Sequence, residues 1–253
     1  HGIPQEKIFD IVEKNISSKN KKYISITSGE LMYNTRRVNF LPNYIKNAEL
    51  SLSDSASVSI NGFLRGKKIN RFTGPKLLIE SCRYGVNKKW RHYFYGGAEG
   101  VADLLSLKLT QKYTGLITAG TYCPPFRKLT MNEEEEMIKE INNSNADILW
   151  IGLGVVKQEG WIDKYRERIN VPMIVGVGGA FDYYAGTMTR CPGWISSIGM
   201  EWLFRLIKEP WRYKRIFSVF VFATEGIIDF FFGRAPILGN LFNAQIPGWE
   251  KNN

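Results

Sequence analysis

The residues of this chain most able to do chemistry start with its glycines. They recur as Gly96-Gly97, Gly120, Gly152 with Gly154, and Gly178-Gly179, each following an apolar run of strand-forming residues. Glycine lets a backbone come close to a phosphate and turn its N–H groups towards it. Any one cluster taken singly is more often an ordinary turn. Four of them at the ends of successive predicted strands point to a sheet edge that holds a nucleotide or diphosphate. Polar side chains stand beside them. Lys157-Gln158-Glu159 follows Gly154, and Asp182 follows Gly178-Gly179. Lys157 is a cation for a leaving diphosphate or a solvated surface charge. Gln158 suits a sugar hydroxyl or the nucleotide. Glu159 suits the same pocket or a plain electrostatic cap on a helix start. Asp182 is a candidate for a sugar or ribose hydroxyl. Tyr122 and Phe126 flank Pro124-Pro125 and either stack on a base or serve the turn itself.

Other chemistries are excluded by what the chain contains. It has two histidines, His1 and His92. That rules against a Ser-His-Asp triad and against a multi-histidine metal site, so a general base here is a carboxylate. The three cysteines, Cys82, Cys123 and Cys191, are odd in number and far apart, which suits free thiols in a reducing compartment. No Asp-x-Asp pair stands near a strand end to hold a divalent ion. The net charge of +10 favours phosphate-bearing partners: a nucleotide, a pyrophosphate, an anionic bilayer or a nucleic acid. A chain that opens on His1 reads as a fragment or as carrying a tag remnant, and no secretory signal is visible.

These residues need a scaffold to position them. The 253 residues, 44% of them hydrophobic, suit one compact α/β domain with a small appendage. Helical spacing of Ile8, Ile11, Val12 and Ile16 predicts a helix over 5–18. A strand at 23–27, a helix over 30–45 bent near Pro42, and a strand over 48–53 ending at Asp54 come next. Further strands are expected at 91–95, 115–119, 147–153 and 172–177, with helices over 98–112, 132–145 and 157–169. Alternating apolar strands and amphipathic helices make a Rossmann-like parallel sheet covered on both faces. Residues 1–198 are read as this core and 199–253 as a helical appendage of different character.

In the appendage, aromatic and basic residues interleave from Glu201 to Arg215. Apolar runs lie at 216–223 and 227–232, interrupted by Glu225 and Asp229. A transmembrane helix needs about 20 mostly apolar residues, and buried carboxylates are costly in lipid. The segment therefore reads as lying at a bilayer surface, with Arg and Lys against lipid phosphates. The other readings are a helix packed on the core or a partner, and a spanning helix.

The densest stretch runs from 115 to 212. It contains Gly152-Leu153-Gly154, Lys157-Gln158-Glu159 with Trp161, and Gly176-Val177-Gly178-Gly179-Ala180-Phe181-Asp182 with Ala185-Gly186. Arg190-Cys191-Pro192, Gly199-Met200-Glu201-Trp202 with Arg205, and Glu209-Pro210-Trp211-Arg212 complete it. This ordered series resembles the WecG/TagA/CpsF glycosyltransferase family. In the N-terminal half, Thr27, Asp54 and Thr73-Gly74 with Leu77 stand at the family's positions. An Asn after Thr27 and a Gly after Asp54 are missing, Val156 replaces a Pro, and Cys191 replaces an Ala.

The resemblance implies an inverting, metal-independent transferase that needs no cofactor. It moves a sugar from a UDP-sugar to a polyprenyl-pyrophosphate-linked acceptor in bacterial cell-surface polysaccharide synthesis. It also implies a Rossmann-like fold with a C-terminal appendage that engages the cytoplasmic face of the plasma membrane. An inverting transfer needs a base on the acceptor hydroxyl and N–H groups or cations on the departing diphosphate. Asp54, beside Thr27, is the candidate base; the competing reading has Asp54 cap a helix that begins at Ser55. Gly96, Gly97, Gly120, Tyr122, Gly152, Gly154, Lys157, Gln158, Glu159, Gly178, Gly179 and Asp182 are the candidate donor contacts. Arg205, Arg212 and Arg215 are candidates for the acceptor pyrophosphate and the lipid surface, with Arg190 a further cation. A homo-oligomer is compatible with the sequence. The alternatives are another nucleotide-binding enzyme, opposed by the lack of a Gly-x-Gly-x-x-Gly after the first strand, and a catalytically retired membrane-associated assembly protein. A nucleic-acid binder ranks last, because the basic residues concentrate beside a hydrophobic tail.

Overall fold

The computed structural model describes residues 3–189, 191, 192, 195, 201–208, 210 and 213–231. Six strands form one sheet in the order β2-β1-β6-β5-β3-β4. They are β1 (Lys22–Thr27), β2 (Leu50–Ser53), β3 (Arg91–Gly96), β4 (Ile117–Tyr122), β5 (Ile148–Gly152) and β6 (Met173–Gly176). The pairings of β1 with β6, β6 with β5, β5 with β3, and β3 with β4 are all parallel. Ile148, Leu149, Trp150 and Ile151 are all buried, as expected of a strand covered on both faces. The expected Rossmann-like α/β architecture is therefore present.

Contacts divide the chain into two compact units. One comprises residues 3–26 and 74–188; the other comprises 27–73 and the described residues from 189 onwards. In the first, helices α1 (Gln5–Ser17), α5 (Gly74–Lys88), α6 (Val101–Lys112), α7 (Met131–Asn143), α8 (Lys157–Tyr165) and α9 (Ala180–Ala185) accompany five of the strands. Helix α1 buries Ile8, Phe9, Val12 and Asn15. Helix α7 opens with a capping box: the Thr130 hydroxyl accepts the Glu133 N–H while the Glu133 carboxylate accepts the Thr130 N–H.

The second unit holds β2, α2 (Gly29–Asn34), α3 (Leu41–Asn47), α4 (Ala56–Leu64), α10 (Glu201–Lys208) and α11 (Tyr213–Phe231). Helix α11 packs on α2 and α4. Two glycines allow the close approach. A Cβ on Gly29 would stand 2.6 Å from the Ser57 hydroxyl and 3.2 Å from Val219. One on Gly226 would stand 1.5 Å from the Asn61 side-chain oxygen. Ion pairs flank the contact: Arg36 with Glu225 at 2.7 Å and Arg215 with Glu30 at 2.5 Å. Phe222 and Ser218 are buried there, whereas Phe217, Phe220, Ile227, Ile228 and Phe231 are exposed. Among the described residues no helix is long and apolar enough to cross a membrane.

Several expected boundaries move. The helix expected over 30–45 is two helices, because Pro42 sits in the first turn of α3, where a missing N–H costs nothing. Helix α5 is additional to the elements expected, and α4 answers to the helix that the capping reading of Asp54 required. The strand expected at 115–119 starts later, after a turn at Gly115 with φ +91°, and runs through Gly120. Helix α8 ends at Tyr165, short of 169.

Candidate active site

In the larger unit, β3, β5 and β6 each end on a glycine. Gly96 pairs with Gly152, and Ile151 with Gly176. The Gly97 N–H donates to the Gly152 carbonyl at 2.9 Å. Gly96 has φ +117°, and a Cβ there would press within 2.7 Å of that same carbonyl oxygen. A Cβ on Gly152 would strike the Phe181 ring at 2.7 Å. These glycines are thus required by packing at the strand ends. Gly154 and Gly179 differ, since a Cβ at either would meet nothing within 4 Å. Their backbones border open space, as a site for an approaching phosphate requires.

Gln158 and Glu159 are buried, 3% and 1% exposed, and tie the two glycine turns together. The Gly178 N–H donates to the Gln158 side-chain oxygen at 2.9 Å. The Gln158 amide donates to Glu159 at 2.9 Å, and the Glu159 carboxylate accepts the Val156 N–H at 2.5 Å. The alternative role of Glu159, serving a helix start, is what its bond to Val156 provides. Val156 itself has φ +70°, an uncommon backbone for a β-branched residue. Lys157, the first residue of α8, is exposed. Asp182 lies in the first turn of α9 and accepts the Thr187 hydroxyl at 3.3 Å.

Gly120 and Tyr122 serve packing. Gly120 lies within β4 and not past its end. The β3–β4 register shifts between His92 and Tyr93, and a Cβ on Gly120 would lie 2.5 Å from the Tyr93 ring. Its glycine makes room for a tyrosine. Tyr122, half-buried, stacks on Tyr95 with parallel rings 5.3 Å apart, and Tyr95 leans on Trp161 at 4.7 Å. Burial raises the phenol pKa of both tyrosines, so both stay neutral and serve as apolar rings. Phe126 is 94% exposed.

His92 is fully buried in β3, where its Nδ1 accepts the Trp150 indole N–H at 3.1 Å. Burial pushes its pKa down to about 3, so it is a neutral core residue, in keeping with the exclusion of histidine chemistry.

In the smaller unit, the Asp54 N–H donates to the Thr27 carbonyl at 3.0 Å, which brings the two candidate residues together. The Thr27 hydroxyl is buried and makes no hydrogen bond among the described residues. A buried hydroxyl without a partner costs about 1–3 kcal/mol, which a bound ligand would offset. Helix α4 begins at Ala56, and its cap is Ser55, whose hydroxyl accepts the Val58 N–H at 3.4 Å. The capping reading of Asp54 is thereby corrected: that duty falls one residue later. Ser28, not singled out from the sequence, caps α2 in the same way through Leu31 N–H at 3.1 Å. The signal for both is a serine between a strand and a helix start.

Arg215 is committed to Glu30 through a 2.5 Å ion pair. Arg190 and Arg212 lie outside the described residues, as does the side chain of Arg205.

Comparison with known proteins gives a consistent picture. The family model described as the WecG/TagA/CpsF family of glycosyl transferases matches residues 1–234. An N-acetylglucosaminyldiphosphoundecaprenol N-acetyl-β-D-mannosaminyltransferase of Bacillus subtilis (strain 168) is 26% identical over 226 residues, covering 87% of this chain and 86% of that protein. The protein of the same name from Bacillus spizizenii is 29% identical over 181 residues, 71% and 68% of the two chains. One from Staphylococcus aureus (strain MW2) is 24% identical over 210 residues, 82% and 80%.

Proposed function

Because the chain belongs to the WecG/TagA/CpsF family of glycosyl transferases, we propose that it transfers N-acetylmannosamine from a UDP-sugar to a polyprenyl-diphosphate-linked N-acetylglucosamine. The acceptor and the transferred sugar follow the names of its relatives. Asp54 takes the proton of the acceptor hydroxyl as that oxygen bonds to the anomeric carbon. The bond from the anomeric carbon to the diphosphate breaks on the opposite face, inverting the configuration, and UDP departs. The departing diphosphate needs N–H groups or cations but no divalent ion or other cofactor; within the larger unit, Gly154 and Gly179, which border open space, and Lys157 are the candidate contacts for a diphosphate. The acceptor's lipid tail places the reaction at the cytoplasmic membrane surface, with the protein peripheral to it.

The observation that carries this reading is the pair Thr27 and Asp54. A buried hydroxyl without a partner stands beside a carboxylate that the neighbouring Ser55 relieves of capping. The test is Asp54→Asn. Turnover should fall by about 10²–10⁴, with the unfolding midpoint and UDP affinity unchanged. Near-normal turnover in a folded Asp54→Asn protein overturns the assignment.

A further inference from the structure

Helix α4 is built inside out. Its buried side carries Ser57, Val58, Asn61 and Gly62. Its outward side carries Ala56, Ile60 and Phe63, spaced four and three apart on one face. Ile60 is 52% exposed and Phe63 77%. The polar interior is satisfied: Asn61 is fully buried, donates to the Ser57 carbonyl at 2.9 Å and accepts from Arg65 at 3.1 Å. The outward apolar pair therefore has no role in this helix's own packing.

The segment after α4 is strongly basic and is folded back against it. Arg65, Lys67, Lys68 and Arg71 lie within seven residues, and residues 55–73 contain no Asp or Glu. The Gly66 N–H donates to the Phe63 carbonyl, and the Lys67 N–H to the Gly62 carbonyl, both at 2.9 Å. Ile69 packs where a Gly62 side chain would stand, 2.4 Å from its Cβ position. The basic turn is thereby fastened at the same end of the helix as Phe63.

We propose that α4 and its basic turn form a docking surface for an anionic phospholipid bilayer, separate in sequence from the C-terminal helices. Phe63 and Ile60 enter the boundary of the acyl chains while Lys67 and Lys68 meet lipid phosphates; Arg65, bonded to Asn61, and Arg71, whose Nε donates to the Asp54 carbonyl at 2.8 Å, add positive charge beside them. A second copy of the chain fits this surface poorly, because a two-fold contact would set the same basic cluster against itself. A bilayer fits its charge. In the same compact unit, α11, which packs on α4, leaves Phe217, Phe220, Ile227 and Phe231 exposed, adding apolar surface of the same kind. The proposal deepens the transferase reading and rests on it for one point, that a polyprenyl-linked acceptor brings the protein to a membrane.

The experiment uses the full chain with vesicles of phosphatidylglycerol and phosphatidylcholine, and with phosphatidylcholine alone. Ile60→Ser with Phe63→Ser should lower partitioning onto the anionic vesicles by at least about tenfold. Phe63→Leu should restore most of it. Lys67→Gln with Lys68→Gln should weaken binding to the anionic vesicles and leave the neutral ones unaffected. Unfolding midpoints and turnover on a short-chain, detergent-soluble acceptor should match the unsubstituted protein. Partitioning that survives both pairs of substitutions overturns the proposal. So does light scattering that shows a dimer converted to a monomer by Phe63→Ser, or partitioning restored only by an added acidic protein. If the transferase reading alone is wrong, no variant turns over the soluble acceptor, yet vesicle binding still follows Phe63.

Discussion

Replacing Gln158 with leucine probes the frame of the candidate donor site directly. The side chain is almost fully buried and makes two bonds of 2.9 Å, one from the Gly178 N–H and one to the Glu159 carboxylate. Leucine has similar volume and keeps the packing against Gly176, whose absent Cβ would stand 2.9 Å from the Gln158 side chain. It offers no polar atom. The Gly178 N–H loses its acceptor and the buried carboxylate loses a donor, each a loss of about 1–3 kcal/mol. The sum, about 2–6 kcal/mol, is a large fraction of the 5–15 kcal/mol typical of a domain. Urea unfolding should show it as a lowered midpoint with unchanged slope. Calorimetry should show weaker UDP binding, because the Gly178 turn loses its tie to α8. Gln158→Glu sharpens the test through its pH dependence. Two adjacent buried carboxylates raise the folded-state pKa of the pair above its unfolded value. Stability is then present at low pH and lost as pH rises through the folded pKa. That variant should lie closer to the unsubstituted protein at acidic than at alkaline pH. A Gln158→Leu protein within about 0.5 kcal/mol of the unsubstituted one, the range of an ordinary surface change, would refute the reasoning.

Other substitutions separate packing from binding. Gly120→Ala should cost about 1–3 kcal/mol of stability through its clash with Tyr93 and leave UDP affinity unchanged. Gly179→Ala meets open space, so its unfolding midpoint should hold while UDP affinity falls; calorimetry on both reads the contrast. His92, neutral and with its pKa pushed down to about 3 from an ordinary 6.5, refuses in the folded state a proton that the unfolded chain accepts. Stability should therefore fall with acidification below pH 6.5 at up to about 1.4 kcal/mol per pH unit from this group. His92→Phe should remove that slope in urea unfolding run across pH. At neutral pH it should cost about 1–3 kcal/mol, because the Trp150 N–H loses its acceptor.

Much of the scaffold is legible in the sequence because a parallel sheet writes itself plainly. Strands such as Ile148–Gly152 are apolar on both faces and end on glycine, and the register of Gly96 with Gly152 comes from their pairing. Gly120 is not placed correctly by sequence, because its surroundings depend on a register shift in the neighbouring strand, which no local pattern encodes. The division of duties between Asp54 and Ser55 turns on a helix boundary one residue wide, finer than propensity resolves. Gln158 reads as a ligand contact because an amide beside a glycine turn suits that role; its burial and its bond from the Gly178 N–H, which frame the turn, are set by tertiary packing. Helix α4 is hidden because its apolar residues face outward, so the usual link between apolar spacing and the core does not hold there. Helix α5, with Leu77, Leu78, Ser81, Cys82 and Gly85 buried on one side, does carry a helical period in its sequence.

The most direct test of the central claim is the transfer reaction itself. The protein would be incubated with UDP-N-acetylmannosamine and a polyprenyl-diphosphate-linked N-acetylglucosamine, with a chelator present, and the lipid product weighed by mass spectrometry. The expected result is the gain of one N-acetylhexosamine residue, abolished or nearly so in Asp54→Asn. No mass gain despite firm UDP binding, or equal gain from the Asp54→Asn protein, would contradict it.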